Sequence, residues 1–193
     1  MDVEAVLLTG GASRRMGSDK ASLSVGTTTL AERTLAEFDR VHVPVTVLGR
    51  TPIEGRSFLP DAEDYAGPAL ALARFAPSHA SVFVCSCDLP NFNADIVSAF
   101  IPLISGHEAA LPAVGGRPQY LCALYTSAAL ARLKQMVENL QVRSMQRFVE
   151  TLDARLVDED ELESLGVSPL SVVGANTPQE MRQALKGSDG RPA

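Results

Sequence analysis

The chain has 193 residues, 46% of them hydrophobic and 21% charged, and its 17 basic and 23 acidic residues give a net charge of −6. That much apolar material can bury a sizeable core, whereas the acidic balance excludes general attraction to nucleic acid or to an anionic membrane surface, so an anionic ligand must be held by a local basic site. Aromatic residues make up only 5%, with no Trp, so the core must rest on Val, Leu and Ala, which favours a sheet covered by helices.

Residues 3–8 form an apolar run and are predicted as the first strand. The run opens into Thr9-Gly10-Gly11-Ala12-Ser13-Arg14-Arg15-Met16-Gly17-Ser18-Asp19-Lys20. Glycines let backbone N–H groups approach phosphate oxygens closely, and Arg15 and Lys20 can neutralise charge that amides alone cannot, so the loop suits a polyphosphate. Two commoner glycine loops do not fit. A P-loop needs Gly-Lys-Ser/Thr at its end, but Lys20 stands three residues past Gly17 with no Ser or Thr behind it. A dinucleotide fingerprint needs Gly-x-Gly-x-x-Gly, which Gly10, Gly11 and Gly17 do not supply.

Thr29-Leu30-Ala31-Glu32 is a capping box that starts a helix running to about residue 39, and residues 43–48 are a second strand. Pro68 opens a helix with apolar positions at Leu70, Leu72 and Phe75; residues 81–85 are an apolar strand, and Asn93 caps a helix to about residue 104. Strands are predicted at 108–114 and 120–125, separated by Gly115-Gly116 and a turn extended by Arg117-Pro118, where the parallel order is expected to be interrupted. Helices follow at 127–139 and 144–150, then a strand at 154–158 and a short acidic helix at 159–165. Just after Asn176, Thr177-Pro178-Gln179-Glu180 supplies an N-cap, a proline at the first helical position and a reciprocal glutamate for the final helix.

Residues 1–186 are expected to form a single domain, with 187–193 as a small, polar, frayed tail. The alternation of elements implies an α/β fold: a three-layer α/β/α arrangement around a mostly parallel, Rossmann-like sheet with an antiparallel interruption. Cys85, Cys87 and Cys122 lack metal-ligand spacing and are read as buried small hydrophobes. No signal-peptide pattern or long apolar segment is present, which sets the expectation of a reduced, cytoplasmic protein. Ligands of such sheets bind outside the carboxyl ends of the strands. Asp88 lies there, three residues past Cys85 and stiffened by Leu89-Pro90, so its carboxylate can hold Mg²⁺ beside phosphates; the other reading is a turn-forming aspartate.

The first loop resembles the signature of pyrophosphorylase-type nucleotidyltransferases, Leu-x-Gly-Gly-x-x-x-Arg-Met-Gly-x-x-Lys, matched at Leu8, Gly10, Gly11, Arg15, Met16, Gly17 and Lys20. With Asp19 before the lysine, it is most similar to the molybdenum cofactor guanylyltransferases, the MobA-like nucleotidyltransferase family. This resemblance implies the nucleotide-diphospho-sugar transferase type of fold. It also implies transfer of GMP from GTP to the terminal phosphate of molybdenum-molybdopterin, with release of pyrophosphate and formation of the guanine dinucleotide cofactor. On the same resemblance, Arg15, Lys20 and Asp88 are the catalytic residues, and Leu8, Thr9, Gly10, Gly11, Lys20, Asp61 and Asp88 bind the nucleotide. The amides from Thr9 to Ala12 would hold the β- and γ-phosphates. Asp61 has two readings, a hydrogen-bond acceptor for the base or ribose and a support for the glycine turn.

Mg²⁺ would sit on Asp88, with Asn176 as a second ligand or else a loop residue satisfying backbone groups. Arg117, Gln119 and Arg143 are candidates for the second substrate. Partners implied are GTP, molybdenum-molybdopterin and other proteins of the molybdenum cofactor pathway, with no nucleic acid or membrane. The chain departs from the pattern after the second strand, where it reads Val47-Leu48-Gly49-Arg50 and many relatives carry asparagine, and at Gln119, where several carry histidine. Alternatives are a cytidylyltransferase on the same cofactor, a nucleotidyltransferase on another phosphorylated acceptor, and a non-catalytic nucleotide- and molybdopterin-binding adaptor.

Overall fold

The computed structural model describes residues 2–10, 24–25, 28–61, 67–139, 141–175 and 177–186. Its first strand, β1 (Val3–Leu8), is buried at every position. A strand apolar on both faces must be covered from both sides, which calls for helical layers above and below it. After a two-residue antiparallel ribbon of β2 (Ser24–Val25) and β3 (Thr28–Thr29), helix α1 (Leu30–Arg40) begins at the expected capping box. The Thr29 amide donates to Glu32 Oε2 at 2.7 Å and the Glu32 amide donates to Thr29 Oγ1 at 3.2 Å, so two otherwise orphaned donors are satisfied.

The chain continues through β4 (Val45–Gly49), β5 (Ser57–Pro60), α2 (Pro68–Ala73), β6 (Ser81–Ser86) and α3 (Asp95–Phe100). It then runs through β7 (Ala109–Val114), β8 (Arg117–Pro118), β9 (Cys122–Thr126), α4 (Ser127–Glu138), α5 (Met145–Val149), β10 (Ala154–Val157), α6 (Glu159–Ser164) and α7 (Pro178–Lys186). The sheet order is β10-β7-β9-β6-β1-β4-β5, with β8 paired to β7. β9 runs antiparallel to both β6 and β7, while β1 pairs in parallel with β4 and β6 and β10 pairs in parallel with β7. This is the mostly parallel three-layer sheet with one antiparallel interruption.

Alternate residues of each strand feed two cores. Val3, Ala5, Leu7, Phe83 and Cys85 pack with Leu35 and Phe38 of α1 and Ile96 and Phe100 of α3 on one face. Val6, Leu8, Val82 and Val84 pack with Leu72 of α2, Leu130 of α4 and Phe148 of α5 on the other. The first face contains an aromatic cluster: Phe38 lies 6.2 Å from Phe83 and 5.1 Å from Phe92, centroid to centroid. Such pairs add about 0.5–1.5 kcal/mol each beyond area burial. At the amino ends of the strands, buried Glu4 accepts the Ser78 amide at 2.5 Å and the His79 amide at 2.9 Å. Its charge is therefore satisfied by backbone donors.

Several boundaries differ from expectation. β4 starts at Val45 rather than residue 43 because the Val43 amide is taken by the Phe38 carbonyl at the end of α1 (3.1 Å) and Pro44 has no N–H. The helix expected to reach residue 104 ends at Phe100, and a separate 3₁₀ turn, Pro102–Ile104, follows where Pro102 cannot continue the ladder. The N-cap of α3 is Ala94 rather than Asn93, whose side chain lies one residue earlier and accepts the Asp95 amide at 2.8 Å. β9 begins at Cys122, since Arg117–Pro118 folds back as β8 against Ala113 and Val114. β5 was not expected at all; it is a four-residue edge strand with half-buried interior, too short to show a period.

Among the described residues no helix is long and apolar enough to cross a membrane. The three cysteines are free and buried, with Cys85 directly opposite Cys122 across β6 and β9. Burial pushes both thiols up, and the Asp88 carboxylate adds to this. A thiol-reactive disulfide reagent should therefore find no rapidly reacting cysteine in the native protein and three after guanidinium unfolding, followed by absorbance of the released thiolate.

Candidate functional site

The carboxyl ends of β1, β4, β5 and β6 meet where the chain order reverses on either side of β1, the place where open α/β sheets form a ligand crevice. Backbone hydrogen bonds fasten the loops as they leave the sheet. The Thr9 amide donates to the Leu48 carbonyl at 2.8 Å, the Asp61 amide to the Gly49 carbonyl at 2.8 Å, and the Cys87 amide to the Leu8 carbonyl at 3.1 Å. Leu8 itself is buried in the core, 6% exposed.

Thr9 differs from expectation. Its amide is committed to Leu48 and its hydroxyl donates to the same carbonyl at 3.2 Å, so phosphate-holding amides can begin no earlier than Gly10. Gly10 and Asp61 are in direct contact: a Cβ at residue 10 would overlap the Asp61 carboxylate, with Cγ at 3.3 Å. Gly49 is constrained in the same way, since a Cβ there would overlap the Thr9 hydroxyl and lie 3.1 Å from the Gly10 amide nitrogen. The sequence reading did not foresee this role for Gly49; nothing in a lone Gly-Arg after a strand reveals a neighbour 40 residues earlier (49 − 9).

Asp88 stands beyond the end of β6, on the other side of β1. Its Oδ1 accepts the Ser86 hydroxyl at 2.6 Å and its backbone carbonyl accepts the Ala175 amide at 2.9 Å. Leu89 and Phe92, 5% and 8% exposed, anchor the turn that follows into the aromatic cluster. Gly174 faces the carboxylate, and a Cβ on it would lie 3.4 Å from Asp88 Cγ. Ser86 was missed by sequence reasoning, although a hydroxyl two residues before a strand-end carboxylate is a readable signal.

Asp88, Arg117 and Gln119 line one cleft of about 1940 Å³, together with Arg33 of α1 and residues of α7. The segment carrying Arg117 and Gln119 is rigidly tied. Gly115 and Gly116 take positive φ values of 57° and 70°, as a tight hairpin turn requires, and the Gly115 amide donates to Glu159 of α6 at 3.3 Å. The Gln119 amide donates to the Pro112 carbonyl, and the buried Tyr125 hydroxyl donates to the Tyr120 carbonyl, both at 2.8 Å. The Gln119 side chain turns back to the Arg117 carbonyl at 3.0 Å. Arg143 is exposed and is not among the residues lining the cleft, whereas Gln146 is. None of the three histidines lines it either. Gly11, Arg15, Lys20 and Asn176 lie outside the described residues.

A family model described as the MobA-like NTP transferase domain matches residues 5–157. A Mycobacterium tuberculosis protein named as a probable molybdenum cofactor guanylyltransferase is 33% identical over 190 residues, covering 91% of this chain and 92% of its own. Molybdopterin-guanine dinucleotide biosynthesis protein A from Archaeoglobus fulgidus has the same fold, with a TM-score of 0.80 at 18% identity, covering 97% of this chain and 100% of its own. A Mycobacterium tuberculosis H37Rv protein crystallised in complex with manganese also has this fold, with a TM-score of 0.64 at 16% identity and coverage of 96% and 99%.

Because Gly49 has a neighbour on its Cβ side at the base of the crevice, Gly49→Ala should force Thr9 out of its bond to Leu48. Overpacking of this kind costs on the order of 1–3 kcal/mol. Urea denaturation should show that loss, and calorimetry with GTP should show weaker binding. The exposed Gly55, whose added Cβ would meet nothing within 4 Å but whose φ is 73°, gives a control whose strain is purely backbone.

Proposed function

We propose that this chain, which belongs to the family of MobA-like NTP transferase domains, transfers GMP from GTP to the terminal phosphate of molybdenum-molybdopterin and releases pyrophosphate. The observation that carries the reading is the place of Asp88: it follows β6, which the sheet order sets between β1 and β9, and it lines one cleft with Arg117 and Gln119 of the hairpin. In that arrangement one carboxylate can serve a metal between a nucleotide and a phosphorylated acceptor.

The residues fit Mg²⁺. Asp88 supplies a hard oxygen donor, the Ser86 hydroxyl orients one of its oxygens, and Gly174 presents no side chain to the carboxylate. Mg²⁺ commonly takes one or two carboxylates and completes its shell with water and substrate phosphate. When bound, it would neutralise charge on the phosphate oxygens as pyrophosphate leaves.

The chain's own groups do the positioning. A terminal phosphate oxygen of the acceptor attacks the α-phosphorus of GTP in line, a new P–O bond forms, and the bond to the bridging oxygen of pyrophosphate breaks. The nucleophile is already anionic, so no strong general base is required. Arg15 and Lys20 neutralise the β- and γ-phosphates, with amides from Gly10 onward as donors. Asp61, packed on Gly10 and hydrogen-bonded to Gly49 through its backbone, supports the glycine turn, and its carboxylate is the candidate acceptor for the base or ribose. Asn176 is the candidate second oxygen ligand, and Arg117 and Gln119 face the acceptor. The reading carries a cytoplasmic setting, in keeping with free, buried thiols.

Purified protein supplied with Mg²⁺, molybdenum-molybdopterin and GTP should yield pyrophosphate and the dinucleotide in equal amounts. Asp88→Ala should lower kcat by roughly 100-fold or more, as expected when a main charge-stabilising group is removed. Product from CTP instead would assign the cytidylyl reaction. Nucleotide binding without product from either would leave a transferase for another phosphorylated acceptor or an adaptor.

A further inference from the structure

We propose that Arg33 binds the terminal phosphate of the acceptor, an assignment that rests on the transferase reading above. Helix α1 buries Leu30, Ala31, Thr34, Leu35 and Phe38 against the protein. Arg33 and Glu37, one helical turn apart, are only partly exposed and line the cleft that contains Asp88.

Charge in that cleft is unevenly committed. Glu37 holds Arg40 at 2.9 Å and the Ala94 amide at 3.2 Å. Glu159 accepts the Gly115 amide, Glu180 accepts the Thr177 amide at 3.2 Å, and Asp88 accepts the Ser86 hydroxyl. Among the described residues, the cationic side chains lining the cleft are Arg33 and Arg117, and neither guanidinium makes a hydrogen bond or an ion pair. Available positive charge thus faces the cleft in a protein whose net charge is −6. A guanidinium offers a planar fork of donors matched to phosphate oxygens.

Position distinguishes the two arginines. Leu30, one turn before Arg33, packs with Ala175 and Met181, and the Ala175 amide is hydrogen-bonded to the Asp88 carbonyl. The start of α1 is therefore tied through one residue to the backbone of the proposed metal carboxylate. Arg117 sits exposed in β8, beside the Gly115-Gly116 turn at the edge of the sheet, with no comparable tie to Asp88. The lining includes Gln119 and residues of α7 but not Thr9, Gly10 or Asp61, so Arg33 shares a cleft with the residues assigned above to the acceptor rather than with the glycine turn. A phosphate dianion that must approach a triphosphate needs a fixed cation to hold it in line, and Arg33 supplies one.

The test compares wild type with Arg33→Gln and Arg33→Lys, substitutions at a helical position that should leave the melting temperature unchanged. Binding of molybdopterin and of its dephosphorylated form is followed by pterin fluorescence, and KM is measured separately for GTP and for the molybdenum-loaded acceptor. A charge-assisted bond of this type corresponds to a loss on the order of ten- to a hundredfold. Arg33→Gln should weaken binding of the phosphorylated pterin and raise the acceptor KM by that factor, leave GTP and the dephosphorylated pterin unaffected, and be partly rescued by Arg33→Lys. Equal binding of the phosphorylated pterin by wild type and Arg33→Gln, or a loss that falls on GTP, overturns the assignment while leaving the transferase reading intact. Phosphate-dependent pterin binding through Arg33 without product from GTP sinks the transferase reading and keeps the contact. Failure of the wild-type protein to bind the phosphorylated pterin overturns both.

Discussion

The site depends on the way four neighbouring strands are tied at their carboxyl ends. Bonds from Thr9 to Leu48, Asp61 to Gly49 and Cys87 to Leu8 extend the sheet's hydrogen-bond ladder past the last strand residues. The loops therefore leave from fixed origins, and their first polar groups are set by the sheet rather than by the loops. Parallel pairing puts all four ends on one side, and the change of direction beside β1 opens the crevice between them. Gly10 and Gly49 are the smallest residues at the tightest part of this junction, where a neighbour's side chain already fills the space a Cβ would need.

Packing beneath the junction holds Asp88 in place. Phe92 and Leu89 bury themselves immediately after it, joining Phe38 of α1 and Phe83 of β6, while Ser86 on its other side supplies a hydroxyl. The apolar core thus fixes a carboxylate that itself remains partly exposed at the cleft. The same economy governs charge. Carboxylates around the cleft are engaged with backbone amides or with Arg40, and these bonds stabilise caps and turns while lowering the effective negative charge that an anionic ligand meets.

Much of this was legible along the chain, for identifiable reasons. The capping boxes at Thr29 and Thr177 are local patterns of four residues, and both form as read. β1 and β6 are mostly apolar runs, as buried central strands require, and the glycine pair at 115 and 116 marks the hairpin. Asp88 was legible as a strand-end carboxylate before a proline. The edge strand β5 was not, because a four-residue strand with only its two interior residues half-buried carries no period, and neither was the use of the Thr9 amide by Leu48, because that bond joins residues 39 apart.

By itself the sequence determined the class of fold and most of the order of its elements, because helix caps, apolar periods and glycine spacing act over a few residues. Only the tertiary structure decided which strand ends become neighbours: that Gly49 lies under Thr9, that Asp61 packs on Gly10, and that Leu30 of α1 reaches Asp88 through Ala175. Arg33 belongs to this second group. On the sequence it is one more polar residue on an amphipathic helix, and its place at the cleft follows from the packing of α1 against the sheet and α7. Such contacts join segments far apart in the chain, and their geometry is fixed by sheet register and core packing, which no local pattern of residues encodes.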